Sequence, residues 1–158
     1  MFRLPSRMRA RTRTRVGGGH GEGSWRLDPA GSFGGLGRSP VDQPRIHALT
    51  DDGGDRYDAF WSWVGAHNPS EDQWQLDSIA VDPSVQRRGY GRALILAGLA
   101  RARADGVGAF LSTGTEHNVT IYGKYGFRVV ERAHAPHGGP PIWFMRWEPG
   151  RPGETPPR

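Results

Sequence analysis

The chain of 158 residues contains no cysteine, which excludes disulfides, thiolate metal sites and a cysteine nucleophile. It also lacks a run of the roughly 18 apolar residues that a membrane-spanning helix needs, and it has no apolar core of a secretory signal at its N-terminus. These absences agree with a reducing compartment and with no association with a membrane. We therefore expect a cytoplasmic protein.

Acidic residues are absent from the first 20 positions. Six arginines lie there: Arg3, Arg7, Arg9, Arg11, Arg13 and Arg15. Because the rest of the chain is close to neutral, the net charge of +5 reflects a basic end and not a basic binding face. This distribution argues against nucleic acid as the main partner, although such an end can add weak, salt-sensitive affinity for polyanions. An organelle transit peptide is disfavoured because the segment has little amphipathic helix pattern.

Regular secondary structure is not expected before residue 45. Glycines such as Gly17-Gly18-Gly19, together with Pro29 and Pro40, interrupt every candidate element. The sequence therefore predicts loop, disorder or an atypical segment over residues 1–44. A single folded domain is expected over residues 45–148, followed by a flexible tail over 149–158.

The central part of the chain predicts a mixed α/β sheet. Residues 91–105 repeat apolar side chains at three- and four-residue spacing and end at Gly106, which indicates a helix. The apolar alternation of residues 74–81 slips between Leu76 and Ile79, as a β-bulge requires. The other expected elements are a hairpin over 45–64, a strand over 109–113, a short helix over 118–125 and a strand pair over 127–132 and 142–147.

The junction between this strand and this helix, residues 81–92, combines glycine with arginine. Gly89 and Gly91 allow the backbone to approach a ligand closely, where the N–H groups and the positive dipole end of the helix attract an anion. The charge-assisted donors for a pyrophosphate are Arg87, Arg88 and Arg92. A purely structural turn also uses glycine, so that interpretation stays open. The dinucleotide fingerprint and the P-loop do not fit, because the third glycine and the Gly-Lys-Ser/Thr run are missing.

Two segments resemble motifs of the GNAT superfamily of acyl-CoA-dependent N-acetyltransferases. Val81-Asp82-Pro83 followed by Gln86-Arg87-Arg88-Gly89-Tyr90-Gly91 is similar to its coenzyme A motif, Gln/Arg-x-x-Gly-x-Gly/Ala after a strand that ends in Val-x-Pro. Asn118-Val119-Thr120-Ile121-Tyr122, with Gly126-Phe127, resembles its Asn-Val-x-x-Tyr-x-x-x-Gly-Phe segment. The resemblance covers about residues 45–148.

This resemblance implies a GNAT-like α/β fold, in which a mixed and mostly antiparallel sheet is flanked by helices. Members of the superfamily usually have a strand and two helices before the first hairpin. Residues 1–44 show no such pattern, so we expect the N-terminal half of the fold to be incomplete.

The resemblance also assigns residues to acetyl-CoA, the acyl donor. The backbone of Ile79, Ala80 and Val81 would face the acyl carbonyl and the pantetheine arm. The residues expected at the pyrophosphate are Gln86, Arg87, Arg88, Gly89, Tyr90, Gly91 and Arg92. Asn118 would contact the pantetheine or, equally, serve as a plain N-cap.

For catalysis, the resemblance makes Tyr122 the general acid. A phenol with an ordinary pKa of about 10 stays protonated at neutral pH and can donate to the departing thiolate. Alternatively, Tyr122 is an aromatic residue of the hydrophobic core. Tyr125 is expected to pack in the core and to have no catalytic role. Asp77 is a candidate for the general base, beside Glu116 and His117, although deprotonation of the amine through water is also open. No metal is expected.

Three hypotheses follow. The first is an N-acetyltransferase that transfers the acetyl group from acetyl-CoA to a primary amine by direct attack. The second is a truncated or catalytically degenerate acyl-CoA-binding module, and the third is a polyanion-binding protein that uses its arginine-rich end. The acceptor amine is not identified by the sequence, and a homodimer is expected only by analogy with the family.

Overall fold

The computed structural model describes residues 11–16, 21–28 and 43–150. The strands are β1 Arg11–Val16, β2 Gly21–Asp28, β3 Gln73–Val81, β4 Gly108–Thr113, β5 Arg128–His134 and β6 Pro141–Trp147. The helices are α1 Gln43–His47, α2 Asp55–Ala66, α3 Tyr90–Asp105 and α4 Glu116–Gly123, and a 3₁₀ turn spans Pro83–Val85.

The strands form one mixed sheet in the order β1-β2-β3-β4-β6-β5. Among the described strands, only β3 and β4 run parallel, and the other neighbouring pairs are antiparallel. Helix α3 connects the parallel pair, as a parallel connection requires. The expected fold class, a mixed and mostly antiparallel sheet flanked by helices, is confirmed.

The expectation that residues 1–44 contain no strand was wrong. Strands β1 and β2 pair with each other over residues 11–16 and 21–26, and β2 continues the sheet along β3. These strands form through hydrogen bonds to neighbouring strands. The local spacing of apolar residues, on which the prediction was based, does not reveal such pairing. Residues 1–10, 17–20, 29–42 and 151–158, which include most of the expected loop and tail, lie outside the described part of the chain.

The hairpin expected over residues 45–64 was also wrong, because the structure has helices α1 and α2 there. Tyr57, Phe60, Trp61 and Val64 repeat at the spacing of one helix face, and their aromatic content was mistaken for a strand signal. Two helices therefore do precede β3, but they follow the β1–β2 hairpin along the chain.

The described core lies on both faces of the sheet. On the α3 side, one cluster of buried residues includes Trp74, Leu76, Ile95 and Leu111. On the α2 side, a second cluster consists of Val64, Phe110, Ile142 and Phe144. Neighbouring residues of β4 contribute to opposite clusters, as the alternation of a strand dictates. No helix in the described part of the chain is long and apolar enough to cross a membrane.

Candidate active site

The sheet opens between its two parallel strands. Pairing between β3 and β4 runs from Gln73 with Gly108 to Gln75 with Phe110. Beyond that point β3 continues to Val81 and β4 to Thr113. The two strands therefore diverge toward their C-terminal ends and leave a gap in the sheet.

A β-bulge lies in β3 where the gap begins. Strand β2 pairs Ser24 with Ser78 and Trp25 with Leu76, so Asp77 is the extra residue. The extra residue reverses the alternation of side chains, and both Leu76 and Ile79 pack in the cluster on the α3 side. The bulge predicted between these two residues is confirmed.

A cleft of about 370 Å³ lies between the C-terminal end of β3, the start of α3 and helix α4. The lining residues are Ile79, Ala80, Val81, Gln86, Arg87, Gly91, Arg92, Ile95, Asn118, Ile121, Tyr122 and Tyr125. The structure thus brings together residues that the sequence predicted in two separate motifs. Arg88, Gly89, Tyr90 and Asp77, which were also predicted, do not line the cleft.

Three lining residues, Ile95, Ile121 and Tyr125, were not among the predicted site residues. Ile95 lies one helical turn beyond Gly91, and Ile121 shares a face of α4 with Asn118 and Tyr122. Tyr125 lies in the turn that follows the helix, at the position that continues the same spacing. This helical spacing is the signal that would have identified them. Tyr125 was expected to pack, and it does pack against the core while it also lines the cleft.

The loop between β3 and α3 is held by its own side chains. The Asp82 carboxylate accepts hydrogen bonds from the backbone N–H of Ser84 at 2.8 Å and from its hydroxyl at 2.7 Å, which starts the 3₁₀ turn. The Gln86 side-chain amide donates to the Val81 carbonyl at 3.2 Å. Gln86 therefore ties the loop to the end of β3 while it lines the cleft.

Two residues of this loop have left-handed backbone. Arg87 has φ 61°, and Gly89, the N-cap of α3, has φ 87°. The first hydrogen bond of the helix joins the Ala93 N–H to the Gly89 carbonyl at 3.0 Å. The N–H groups of Gly91 and Arg92 therefore have no acceptor within α3, and both residues line the cleft.

The electrostatics of this helix start favour an anion. The first turn of α3 contains no acidic residue, and Arg87 and Arg92 line the cleft there. The helix dipole adds positive potential at the same end. A positive cleft with unpaired N–H groups is a site for phosphate or pyrophosphate.

Helix α4 supplies the opposite wall of the cleft. Its N-cap is Thr115, whose hydroxyl accepts the backbone N–H of Asn118 at 3.3 Å. The interpretation of Asn118 as a plain N-cap was therefore wrong. The Asn118 side chain lines the cleft, and its amide donates to the hydroxyl of Thr113 at 3.0 Å.

Tyr122 lies on the same face of α4 and is partly buried. Its ring packs edge-on against Phe127, with 6.0 Å between the ring centroids. Burial raises the pKa of the Tyr122 phenol above its ordinary value. The phenol therefore stays protonated across the physiological range and lines the cleft at the same time.

The candidate bases lie elsewhere. Asp77 is half-buried at the bulge of β3, while Glu116 and His117 are exposed in the first turn of α4. None of the three lines the cleft. Among the described residues, no group of three or more His, Asp or Glu side chains is arranged to hold a metal ion.

Known proteins share this fold. The solved structure of histone acetyltransferase HPA2 and related acetyltransferase from Corynebacterium glutamicum has a TM-score of 0.56 and 21% identity, covering 89% of this chain and 64% of that chain. Chaetomium thermophilum Naa20, solved with a bisubstrate analogue, has a TM-score of 0.53 and 15% identity, covering 86% and 64%. An acetyltransferase from Bacillus cereus has a TM-score of 0.51 and 14% identity, covering 89% and 73%.

At these identities the three structures establish the fold alone, and this chain spans less than two thirds of the length of the first two. The family is established by a separate comparison. The model of the Acetyltransferase (GNAT) family matches residues 47–127, just over half of the chain, and includes both motifs. The protein therefore belongs to the GNAT acetyltransferase family.

Proposed function

We propose that this protein is an N-acetyltransferase that transfers the acetyl group of acetyl-CoA to a primary amine. The observation that carries the proposal is the shared cleft. The start of α3, which suits a pyrophosphate, and the protonated phenol of Tyr122, which suits a leaving thiolate, line the same 370 Å³ space. An anion site and a proton donor in one cleft match the chemistry of the coenzyme.

The pyrophosphate fits the start of α3. The N–H groups of Gly91 and Arg92 would donate to its oxygens, and the guanidinium groups of Arg87 and Arg92 would neutralise its charge. A Cβ built on Gly89 meets nothing within 4 Å, so space is open beside the backbone. Arg88, Gly89 and Tyr90 would act by shaping the loop.

The pantetheine arm would lie along the part of β3 that continues beyond its last pairing with β4. The backbone of residues 79–81 lies on the wall of the cleft, beyond the last pairing with β4. Its N–H and C=O groups can pair with the amide groups of an extended arm as a neighbouring strand would. Asn118 faces the same space from α4.

The chemistry needs no covalent enzyme intermediate. The amine nitrogen attacks the thioester carbonyl and forms a C–N bond, and the carbon–sulfur bond then breaks. Tyr122 would give its proton to the departing sulfur, and the amine would lose one proton to a base. The products are the amide and the free thiol of coenzyme A. We propose Asp77 as that base, acting through water, because it lies at the bulge where the cleft begins.

One observation favours the alternative of an acyl-CoA-binding module without catalysis. Asp77, Glu116 and His117 all lie outside the lining of the cleft. A site that binds the coenzyme but lacks a base in contact with the amine would retain affinity and lose turnover. A measurement of acyl transfer therefore distinguishes the two functions, whereas a measurement of coenzyme binding does not.

The proposal also includes a homodimer and a cytoplasmic location. The location is supported by the absence of cysteine, which agrees with a reducing compartment.

The test combines calorimetric titration with acetyl-CoA and an assay of released thiol over a panel of primary amines. The matched control is Gly91→Leu, because a side chain at Gly91 points toward Val81 in the cleft. Binding that the control loses, together with amine-dependent thiol release, supports the proposal. Binding without release for any amine favours the binding module. An absence of binding by the folded chain rejects both.

A further inference from the structure

Asn118 is held at two points by two threonines, Thr113 at the end of β4 and Thr115 at the N-cap of α4. The hydroxyl of Thr115 accepts its backbone N–H, and the hydroxyl of Thr113 accepts its side-chain amide at 3.0 Å. Thr115 is the N-cap, so its contact stabilises the helix. The contact of Thr113 has no such role, since it joins a strand residue to a side chain that lines the cleft.

The position of Thr113 in the sheet restricts the movement of its side chain. It is the last residue of β4 and is buried, with 8% of its surface exposed. Its Cα is paired with that of Trp143 in the neighbouring strand β6. A hydroxyl on a paired and buried strand residue has little freedom to move, so the amide that it binds is held in one orientation.

We infer that Thr113 is a positioning residue for the coenzyme arm, because it orients the Asn118 amide so that Oδ1 is the acceptor available to the ligand. An amide side chain has one acceptor oxygen and one donor nitrogen. With Nδ2 bound to Thr113, the oxygen is the group left to accept an N–H of the pantetheine arm. This inference rests on the proposed function and names how that site selects its ligand.

The orientation has a consequence for specificity. Only the arm of the coenzyme carries amide N–H groups, whereas the adenosine bisphosphate portion binds at the start of α3. Loss of the Thr113 hydroxyl should therefore weaken binding of whole coenzyme A and leave binding of the adenosine bisphosphate fragment unchanged. A general loosening of the fold would weaken both ligands.

The experiment titrates coenzyme A and the adenosine bisphosphate fragment, separately, into wild type and variants by calorimetry. Thr113→Val keeps the shape and removes the hydroxyl, and we expect Kd for coenzyme A to rise about fivefold. Thr113→Cys, whose thiol is a weak acceptor, tests the same loss should the valine variant fail to fold. Thr113→Ser restores the hydroxyl and should bind within about twofold of wild type.

Two further variants separate positioning from stability. Thr115→Val removes the helix cap and should lower the melting temperature while the ratio of the two affinities stays at the wild-type value. Asn118→Ala should match Thr113→Val, and the double variant should show no additional loss of coenzyme A affinity, because both residues act through one contact.

The outcomes are distinguishable. Selective loss of coenzyme A affinity in Thr113→Val, recovered in Thr113→Ser, supports the inference. Equal loss of both ligands, or unchanged affinity for coenzyme A, overturns it while the proposed function stands. Wild type that binds no coenzyme A overturns the proposed function and this inference with it.

Discussion

The side chain of Val81 lies beside the first turn of α3 at Gly91, so that a Cβ added to Gly91 would stand 3.9 Å from Val81 Cγ2. The end of β3 and the start of α3 therefore approach each other across the cleft. Gly89, two residues earlier, has open space around it but a left-handed backbone with φ 87°. The two glycines of the loop thus serve different physical purposes.

Alanine substitutions should separate these purposes. Gly89→Ala places a Cβ on left-handed backbone and should lower the free energy of unfolding by about 1 kcal/mol. Gly91→Ala lies inside a helix, at a position where the similar coenzyme A motif also accepts alanine, so it should raise that free energy by about 0.5–1 kcal/mol and leave binding of coenzyme A nearly unchanged. Urea unfolding and calorimetry measure the two effects. Equal stability changes for the two variants would contradict this assignment.

Arg87 should be under backbone strain. It is in the left-handed region at φ 61°, which costs a residue with a side chain about 1–2 kcal/mol. Arg87→Gly removes this strain and should leave the chain as stable as wild type or slightly more stable. Arg88, whose φ is negative, is the matched control, and Arg88→Gly should cost about 0.5–1 kcal/mol. Urea unfolding that places Arg87→Gly below Arg88→Gly in stability would reject the strained conformation.

Arg92 should favour binding at the expense of stability. It lies in the first turn of α3, where the helix dipole disfavours a positive charge. Arg92→Glu should therefore raise the stability of the unliganded chain by about 0.5–1 kcal/mol and sharply weaken binding of coenzyme A. Thermal unfolding with and without coenzyme A measures both effects. A variant that loses stability, or that binds as wild type does, would show that Arg92 has no part in an anion site.

Tyr122→Phe should lower kcat and leave the Kd of coenzyme A nearly unchanged. Because burial raises the pKa of the phenol, wild type should keep its proton donor to above pH 10, and kcat should fall only beyond that value. The Phe variant should lack this alkaline decline. A pH–rate profile of both proteins measures the difference, and an unaltered rate in Tyr122→Phe would return Tyr122 to a packing role.

The same phenol should affect stability at high pH. The folded state holds the proton more tightly, so the stabilisation is present below pH 10 and is lost as the pH rises through the raised pKa. We expect the free energy of unfolding of wild type to decline more steeply above pH 10 than that of Tyr122→Phe. Denaturant titrations at several pH values compare the slopes, and parallel curves would exclude a buried phenol.

Some of the fold could be read from local pattern. Helix α3 repeats apolar residues at helical spacing and ends at Gly106, which adopts the left-handed conformation expected of a helix stop. The slip in alternation between Leu76 and Ile79 located the bulge correctly. Helix α2 was missed although Tyr57, Trp61 and Val64 have helical spacing, because aromatic residues are common in strands.

What the sequence by itself determined is the residue types of the two motifs: the glycines and arginines of residues 86–92, and Asn118 and Tyr122 one helical turn apart. These features depend on local backbone conformation and on residue type, which a motif records directly. The tertiary structure alone decided that β1 and β2 extend the sheet beside β3, that Ile95 lines the cleft and that Thr113 binds the side chain of Asn118. Each of these depends on contacts between elements that are separate in the sequence, which no local pattern encodes.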